Sequence, residues 1–195
     1  MKKLISTILC LFVCLATFAQ SAEPSHLTFK GIPIDGTPTT FGNKLKAAGF
    51  TFDYEYDNTH WYIGEFAGYK SCYIGVKHSK NLVYEVVVLF PECYSWNMLY
   101  NDYTSLKNML TKKYGDPYAC EEKFENTPSY RNIEDNNDKF EEVKDNHCCY
   151  WAFFIETTTM GNLIIEIKGG TPRVGIHYID YINSSAKESA ALNDL

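Results

Sequence analysis

The stretch SWNMLYNDYTSLKNMLTKKYGDP, residues 95–117, is the clearest structural signal in this sequence. Its large apolar and aromatic residues recur every three or four positions, which places them on one face of a helix. Ser95 can accept hydrogen bonds from the free amides at the start of the helix, and Gly115 followed by Pro117 ends it. We therefore predict a long helix with one buried face. That face consists of Trp96, Leu99, Tyr103, Leu106, Leu110 and Tyr114.

Upstream of this helix, four segments have the pattern of antiparallel strands. The first, FTFDYEYD at residues 50–57, alternates aromatic with polar, mostly acidic, side chains, which is typical of a half-buried strand. Short turns separate it from WYIGEFAGY, SCYIGVKHS and LVYEVVVLFP, and such short connections join antiparallel strands. Before them comes the short strand LTFKGIPIDG, and then a helix at 37–50, capped by Thr37 and ended by Gly49.

The segments downstream of the long helix repeat this plan. YACEEKFE, CCYWAFFIETT, NLIIEIKGG and VGIHYIDYI have the pattern of four further strands, with an acidic loop at 121–145 between the first two. The order β-α-β4 then α-β4 predicts an α+β fold with both helices packed on one face of an antiparallel sheet. We predict pseudo-repeats at about 27–91 and 92–183 inside a single domain, 20–183, followed at 184–195 by a frayed tail or a loose helical turn.

The first residues, MKKLISTILCLFVCLATFAQS, have the three parts of a secretory signal peptide. Lys2 and Lys3 provide positive charge, an apolar run follows, and small residues come after it. We predict cleavage after Ala19, which makes residues 1–19 a leader and exports the rest to the periplasm or the cell exterior. This run is too short to span a bilayer, and we predict no membrane span elsewhere. No cysteine here follows a small residue, as lipidation requires.

The part of the chain that follows the predicted leader is acidic. The whole sequence has a formal net charge of −6, and loss of Lys2 and Lys3 makes it about −8. Nucleic-acid binding through phosphate contacts needs clustered Lys and Arg, so we expect no nucleic-acid partner. Most of the acidity lies in 121–145, which we predict to be a solvated loop. Its segment DNNDKFEE leaves a calcium site open, although it lacks the glycine and terminal glutamate of an EF-hand loop.

Five of the seven cysteines remain after the predicted cleavage. An exported protein can keep disulfides, but an odd number leaves at least one thiol unpaired. Cys120 lies in the strand expected to pair with the strand that begins at Cys148. We therefore predict a bridge from Cys120 to Cys148 or Cys149, with free buried thiols as the alternative. Cys72 with Cys93 is a second candidate pair.

The stretch NHCCYW, residues 146–151, places His147 beside two cysteines. Alternation along a strand turns Cys148 and Cys149 to opposite faces, and acidic surroundings raise the pKa of a thiol, which disfavours a catalytic thiolate. A zinc site needs two more ligands, and the chain has no Cys-x-x-Cys spacing. Phosphate-loop, nucleophile-elbow and zinc-protease motifs are also missing from the sequence. We therefore predict no catalytic residue, no metal site and no cofactor.

Aromatic residues make up 15% of the sequence, and 15 of these residues are tyrosines. Tyrosine and tryptophan suit recognition because each combines a large rigid surface with a polar group. The sequence therefore favours a non-enzymatic binding or inhibitor-like domain that contacts a protein or glycan through a sheet face or loops, with ordinary sheet packing as the alternative role. A small secreted hydrolase and a structural envelope component stay open as functions. The residues predicted to bind are Trp61, Tyr62, Tyr69, Tyr73 and Tyr94.

The stretches FKGIPIDGTPTTFGNKLKAAGF and YNDYTSLKNMLTKKYGDP resemble small secreted proteins of Bacteroides-type bacteria. The repeated helix-plus-four-strand plan is also similar to that of beta-lactamase inhibitor protein and of related outer-membrane assembly lipoprotein domains. This resemblance implies an exported location and a tandem α+β fold. It assigns no functional residue, because a shared fold does not determine function.

Overall fold

The computed structural model describes residues 25–128, 131–156 and 159–192, so the predicted leader lies outside the described residues. The first half of the chain contains β1 (Thr28–Phe29), β2 (Ile32–Pro33), α1 (Pro38–Ala47), β3 (Thr51–Tyr56), β4 (Thr59–Phe66), β5 (Tyr69–Ser79) and β6 (Leu82–Leu89). The second half contains α2 (Trp96–Tyr114), β7 (Ala119–Phe124), α3 (Asn136–Lys144), β8 (Cys148–Glu156), β9 (Gly161–Lys168), β10 (Arg173–Asp180) and α4 (Tyr181–Leu192).

Eight strands form one antiparallel sheet in the order β3-β4-β5-β6-β10-β9-β8-β7. Each half of the chain contributes a four-strand meander, and the two meanders meet where β6 pairs with β10. β1 and β2 form a separate short hairpin. The predicted α+β fold with two helix-plus-meander units is therefore confirmed. None of the helices in the described part of the chain is long and apolar enough to span a bilayer.

The helices α1 and α2 pack on the same face of this sheet, which we call the inner face. Phe41 and Leu45 of α1 are fully buried, and so is Leu99 of α2. Side chains alternate along each strand, so those directed away from α1 and α2 form the opposite, outer face. The inner-face strand residues in the core include Ile74, Val76, Val86, Val88, Ile165, Val174 and Ile176.

The helix ends agree with the predicted capping residues. The Thr37 side chain accepts a hydrogen bond from the Thr40 amide, and the Ser95 side chain accepts one from the Met98 amide at 3.3 Å. Gly115 ends α2 with a φ of 85°, a value that glycine adopts without steric cost. Local sequence therefore determined where both helices begin and where α2 ends.

The acidic segment is not only a solvated loop, and that prediction is wrong for 136–144, which form α3. Asp135 and Asp138 make a capping box at its start. Glu142 on α3 is fully buried and accepts hydrogen bonds from Arg131 Nη1 at 2.7 Å and His147 Nδ1 at 2.8 Å. Because both partners bind the Glu142 carboxylate, they offset the cost of burying its charge.

The C-terminal segment, expected to be a frayed tail or a loose helical turn, belongs to the helix α4 over 184–192. Asp180 Oδ1 accepts a hydrogen bond from the Asn183 amide at 2.9 Å, as a helix N-cap does. The Asn183 side chain is buried and donates to the backbone carbonyls of Ile34 and Val83. The tail is therefore anchored to the first half of the chain by contacts that local sequence does not reveal.

The predicted disulfide between Cys120 and Cys148 or Cys149 is wrong, because all five described cysteines are free thiols. β7 does pair with β8 as expected, but the register places Cys120 opposite Ala152 and Cys148 opposite Phe124. Cys149 and Cys148 are therefore offset from Cys120 by three and four strand residues, or about 10 and 13 Å, whereas bridged cysteines have Cα atoms within about 7 Å.

The second candidate pair, Cys72 with Cys93, is not bridged either. Burial raises the pKa of the Cys72 thiol to about 11 and that of the Cys93 thiol to about 12. Cys93 Sγ donates to Asp102 Oδ2 at 3.5 Å, and Cys72 Sγ donates to the carbonyl oxygen of Tyr69 at 3.5 Å. Both thiols are therefore protonated, buried groups with acceptors of their own.

Candidate functional site

The outer face of the sheet carries two sets of aromatic side chains, one from each half of the chain. The first aromatic group consists of Tyr54, Trp61 and Tyr73, on β3, β4 and β5. The rings of Tyr54 and Trp61 stack with centroids 6.1 Å apart. Trp61 lies opposite Gly75, and a Cβ atom at Gly75 would be 2.9 Å from the indole. The glycine therefore leaves the space in which the indole lies flat on the sheet.

The second aromatic group consists of Trp151 and Phe153 on β8, together with Tyr118 just before β7. Phe153 lies opposite Ile164 of β9, so its ring shares the outer face with an aliphatic neighbour. The rings of Tyr118 and Phe153 meet edge to face at 6.2 Å. Tyr118 is 77% exposed, while Trp151 and Phe153 are half-buried. Both halves of the chain thus present a tryptophan on the same face.

Between the two aromatic groups, charged side chains cross the central strands. His177 Nδ1 donates to Glu85 Oε1 at 2.6 Å, and His177 Nε2 donates to Glu166 Oε1 at 2.9 Å. Lys77 donates to the same Glu85 oxygen at 2.9 Å, and Lys168 forms an ion pair with Glu166. The side chain of His177 is only 15% exposed. We call this set the charged cluster: Lys77, Glu85, His177, Glu166 and Lys168.

Hydrogen bonds within the charged cluster favour the ionised form of its three central members, His177, Glu85 and Glu166. Burial opposes charge on His177, but the hydrogen bonds to Glu166 and Glu85 outweigh it and raise the pKa of the imidazole. Burial likewise opposes charge on Glu166, yet His177 and Lys168 lower its pKa to about 2, and the pKa of Glu85 is also lowered. A carboxyl group that acts as a general acid needs a raised pKa, and a histidine that acts as a base needs a nitrogen that is free to accept a proton. The lowered carboxyl pKa values and the two occupied imidazole nitrogens therefore favour an ion-pair network.

Three of the five predicted binding residues are accessible. Trp61 and Tyr73 lie on the outer face in the first aromatic group and are half-buried. Tyr94 is 79% exposed but precedes α2, outside the strands that form the outer face. Only Trp61 and Tyr73 are therefore brought together.

The other two predicted binding residues lie on the wrong side of the sheet. Tyr62 is 2% exposed, and its hydroxyl lies against α1 at Gly42, where a Cβ atom would be 1.9 Å away. The Tyr69 hydroxyl donates to Asp102 Oδ1 of α2 at 2.9 Å. Alternation next to Trp61 directs Tyr62 inward, and the hydrogen bond to α2 places Tyr69 on the inner face as well. Neither residue is therefore part of the outer face.

Sequence reasoning missed much of this site. The period of two in CCYWAFFIETT places Trp151 and Phe153 on one face, but the pattern does not say which face the helices cover. His177 had no local signal, because Glu85 is 92 residues away in sequence and only the register of the β6–β10 pair brings the two together. Glu166, 11 residues away, arrives through the β9–β10 pair.

The pair of cysteine and histidine in NHCCYW is not arranged for catalysis. Cys149 Sγ donates to Glu121 Oε2 at 3.3 Å, and burial followed by this hydrogen bond raises the pKa of the thiol. His147 is engaged with Glu142. A protonated thiol and an occupied imidazole supply neither a nucleophile nor its base.

One group of residues in the described ranges has the spacing of metal ligands. Glu55, His60 and His78 each offer a donor atom, and these atoms lie within 4.8 Å of one another. This group lies at the β3–β5 edge, on the face that α1 covers. The sequence alone does not reveal this group, because 18 positions separate His60 from His78.

Comparison with protein-family models, with curated proteins and with solved structures found no significant match. The resemblance to small secreted proteins and to the tandem fold of beta-lactamase inhibitor protein therefore stays a prediction. Function has to be argued from the geometry of the outer face itself.

Proposed function

We propose that this protein is a non-catalytic binding domain that docks against another protein through the outer face of its sheet. The observation that carries the proposal is the pair of aromatic groups, one from each half of the chain, on the face opposite α1 and α2. Tryptophan and tyrosine are the residues most enriched among those that dominate binding energy at protein interfaces.

The size of the outer face supports a protein partner. Eight strands about 4.8 Å apart, with central strands of eight residues that each rise about 3.3 Å, give a face on the order of 1,000 Å². That face is large enough to bury the roughly 800 Å² that each partner contributes to a standard protein–protein interface. A glycan needs polar groups that are free to bind its hydroxyls, whereas the central polar groups here already bind each other.

The charged cluster supports binding rather than catalysis. Its two carboxylates bind the imidazole and two lysines, and within the described residues none of these contacts involves a hydroxyl or a thiol. Paired charges at the centre of a contact surface favour the correct partner and orientation, because a mismatched partner leaves them desolvated. The leader pattern at 1–19 further supports a partner that is met after export.

Alanine in place of Trp61 or Trp151 is expected to weaken partner binding by about 30-fold, the effect of losing a typical interface anchor. The partner is first identified by cross-linking the wild-type protein in envelope and culture fractions of the source organism. Calorimetry with the purified partner then measures each variant.

The control is Tyr94→Ala, which removes a more exposed aromatic side chain that lies outside the outer face. We expect this variant to bind like the wild type. The proposal is wrong if the Trp61→Ala/Trp151→Ala double variant keeps its far-UV circular dichroism spectrum and binds the partner with unchanged affinity.

A further inference from the structure

Three side chains from neighbouring strands converge at one edge of the sheet: Glu55 of β3, His60 of β4 and His78 of β5. Glu55 Oε2 lies 3.2 Å from His60 Nε2. The imidazole rings of His60 and His78 are 5.1 Å apart and meet at 80°. We propose that these three side chains bind a divalent first-row transition ion of the zinc class.

The strand register builds this arrangement. Asp57 and Asn58 have φ values of 46° and 54°, which makes the β3–β4 connection a two-residue turn of the hairpin type. That turn sets Glu55 directly opposite His60. His60 in turn pairs with Val76 of β5, and His78, two residues further on, points to the same side.

The distances are close to those of an occupied site. Zinc binds imidazole nitrogen and carboxylate oxygen at about 2.0–2.2 Å, so ligand atoms in a tetrahedral site are about 3.3–3.5 Å apart. Glu55 Oε2 and His60 Nε2 are 3.2 Å apart, just below this separation. All three donor atoms lie within 4.8 Å, and the Glu55 side chain is 57% exposed, so it can both move and admit an ion from solvent.

His78 supplies an independent indication. Its Nε2 atom is buried and has no hydrogen-bond partner among the residues that the structure describes. Buried polar atoms are nearly always paired, so such an atom needs an explanation, and binding of an ion is one.

The donor set selects the ion. Two imidazole nitrogens and one carboxylate oxygen suit zinc and its first-row neighbours, whereas calcium and magnesium prefer shells made of oxygen atoms. Three protein ligands leave a fourth position for water or for a group from a bound molecule. The site lies on the inner face, so its occupation is separate from docking at the outer face.

Titration of the chelator-treated full chain with zinc chloride tests the site. We expect one ion per chain with a Kd in the micromolar range or below, together with a higher Tm when zinc is present, because an ion that binds only the folded state stabilises it. His78→Gln and Glu55→Gln are each expected to weaken binding by about 10-fold or more.

Asp53→Asn is the matched control, because it removes one carboxylate from the same exposed strand without touching the site. We expect its zinc affinity to equal that of the wild type. Cobalt spectra separate this site from the free thiols, since thiolate ligands add a charge-transfer band. The proposal is overturned if the wild type shows no saturable zinc binding, if that band dominates, or if Glu55→Gln binds as tightly as Asp53→Asn.

Discussion

Replacing His177 with glutamine is expected to lower the free energy of unfolding by about 2–4 kcal/mol. The imidazolium lies between Glu85 and Glu166 and donates a hydrogen bond to each of them. Glutamine has nearly the same length but no charge, so the variant leaves two mostly buried carboxylates facing each other. Lys77 and Lys168 remain on the far sides of the cluster and offset only part of the repulsion. Urea unfolding followed by circular dichroism measures the difference.

A second variant distinguishes charge from lost packing. In the His177→Gln background, Glu85→Gln and Glu166→Gln remove the repelling charges and are expected to restore part of the lost stability. If packing alone held the cluster together, each of these further substitutions would lower the free energy of unfolding again. That result would contradict the assigned role of His177.

The charged cluster also makes stability depend on pH in two directions. The pKa of Glu166 lies at about 2 in the folded protein against an ordinary 4.5, so its contribution exists above 4.5 and is lost as the pH falls towards 2. The pKa of His177 is raised above its ordinary 6.5, so its contribution exists below 6.5 and is lost as the pH rises through the folded value. The difference between wild type and His177→Gln is therefore expected to be largest between these two ordinary values.

Replacing Asp180 with alanine is expected to cost about 3–5 kcal/mol of unfolding free energy. Asp180 is fully buried at the end of β10. Its carboxylate accepts from the Leu27 amide at 2.8 Å and from the Asn183 amide at 2.9 Å, and it also contacts His26 Nδ1 at 3.2 Å. Alanine leaves both amides without this acceptor and removes the cap of α4. Chemical unfolding gives the total loss.

Asp180→Asn is the conservative control for this position. Its carbonyl oxygen still accepts one hydrogen bond, so we expect roughly half the loss of the alanine variant. Amide hydrogen exchange at Leu27 and Asn183 reports which contact breaks. A loss below about 1 kcal/mol for Asp180→Ala would mean that α4 does not depend on this cap.

Local sequence was sufficient wherever one segment carries its own structural signal. The spacing from Trp96 to Tyr114 and the cap at Ser95 define α2, and the alternation in FTFDYEYD defines β3. The order of these segments predicted the two helix-plus-meander units. These predictions succeed because hydrophobic period and capping depend on residues within a few positions of each other.

Predictions that needed partners far apart in sequence were less successful. The disulfide at Cys120 was wrong because strand pairing was anticipated but its register was not, and a few residues of offset separate the cysteines. The helix α3 was missed, and α4 was expected at most as a loose helical turn, because their buried anchors, Glu142 and Asn183, bind residues that local patterns do not connect to them. An isolated acidic or polar segment gives no sign of such anchoring.

By itself the sequence determined the kinds of elements in this protein, their order and their amphipathic faces. Only the tertiary structure decided which face stays uncovered by α1 and α2, and therefore that Trp61 is available while Tyr62 is buried. It also decided which charges meet, because His177 reaches Glu85 through a pairing between strands from different halves of the chain. Periodicity acts over a few residues, whereas register and sheet order are set by how the whole chain buries its apolar surface.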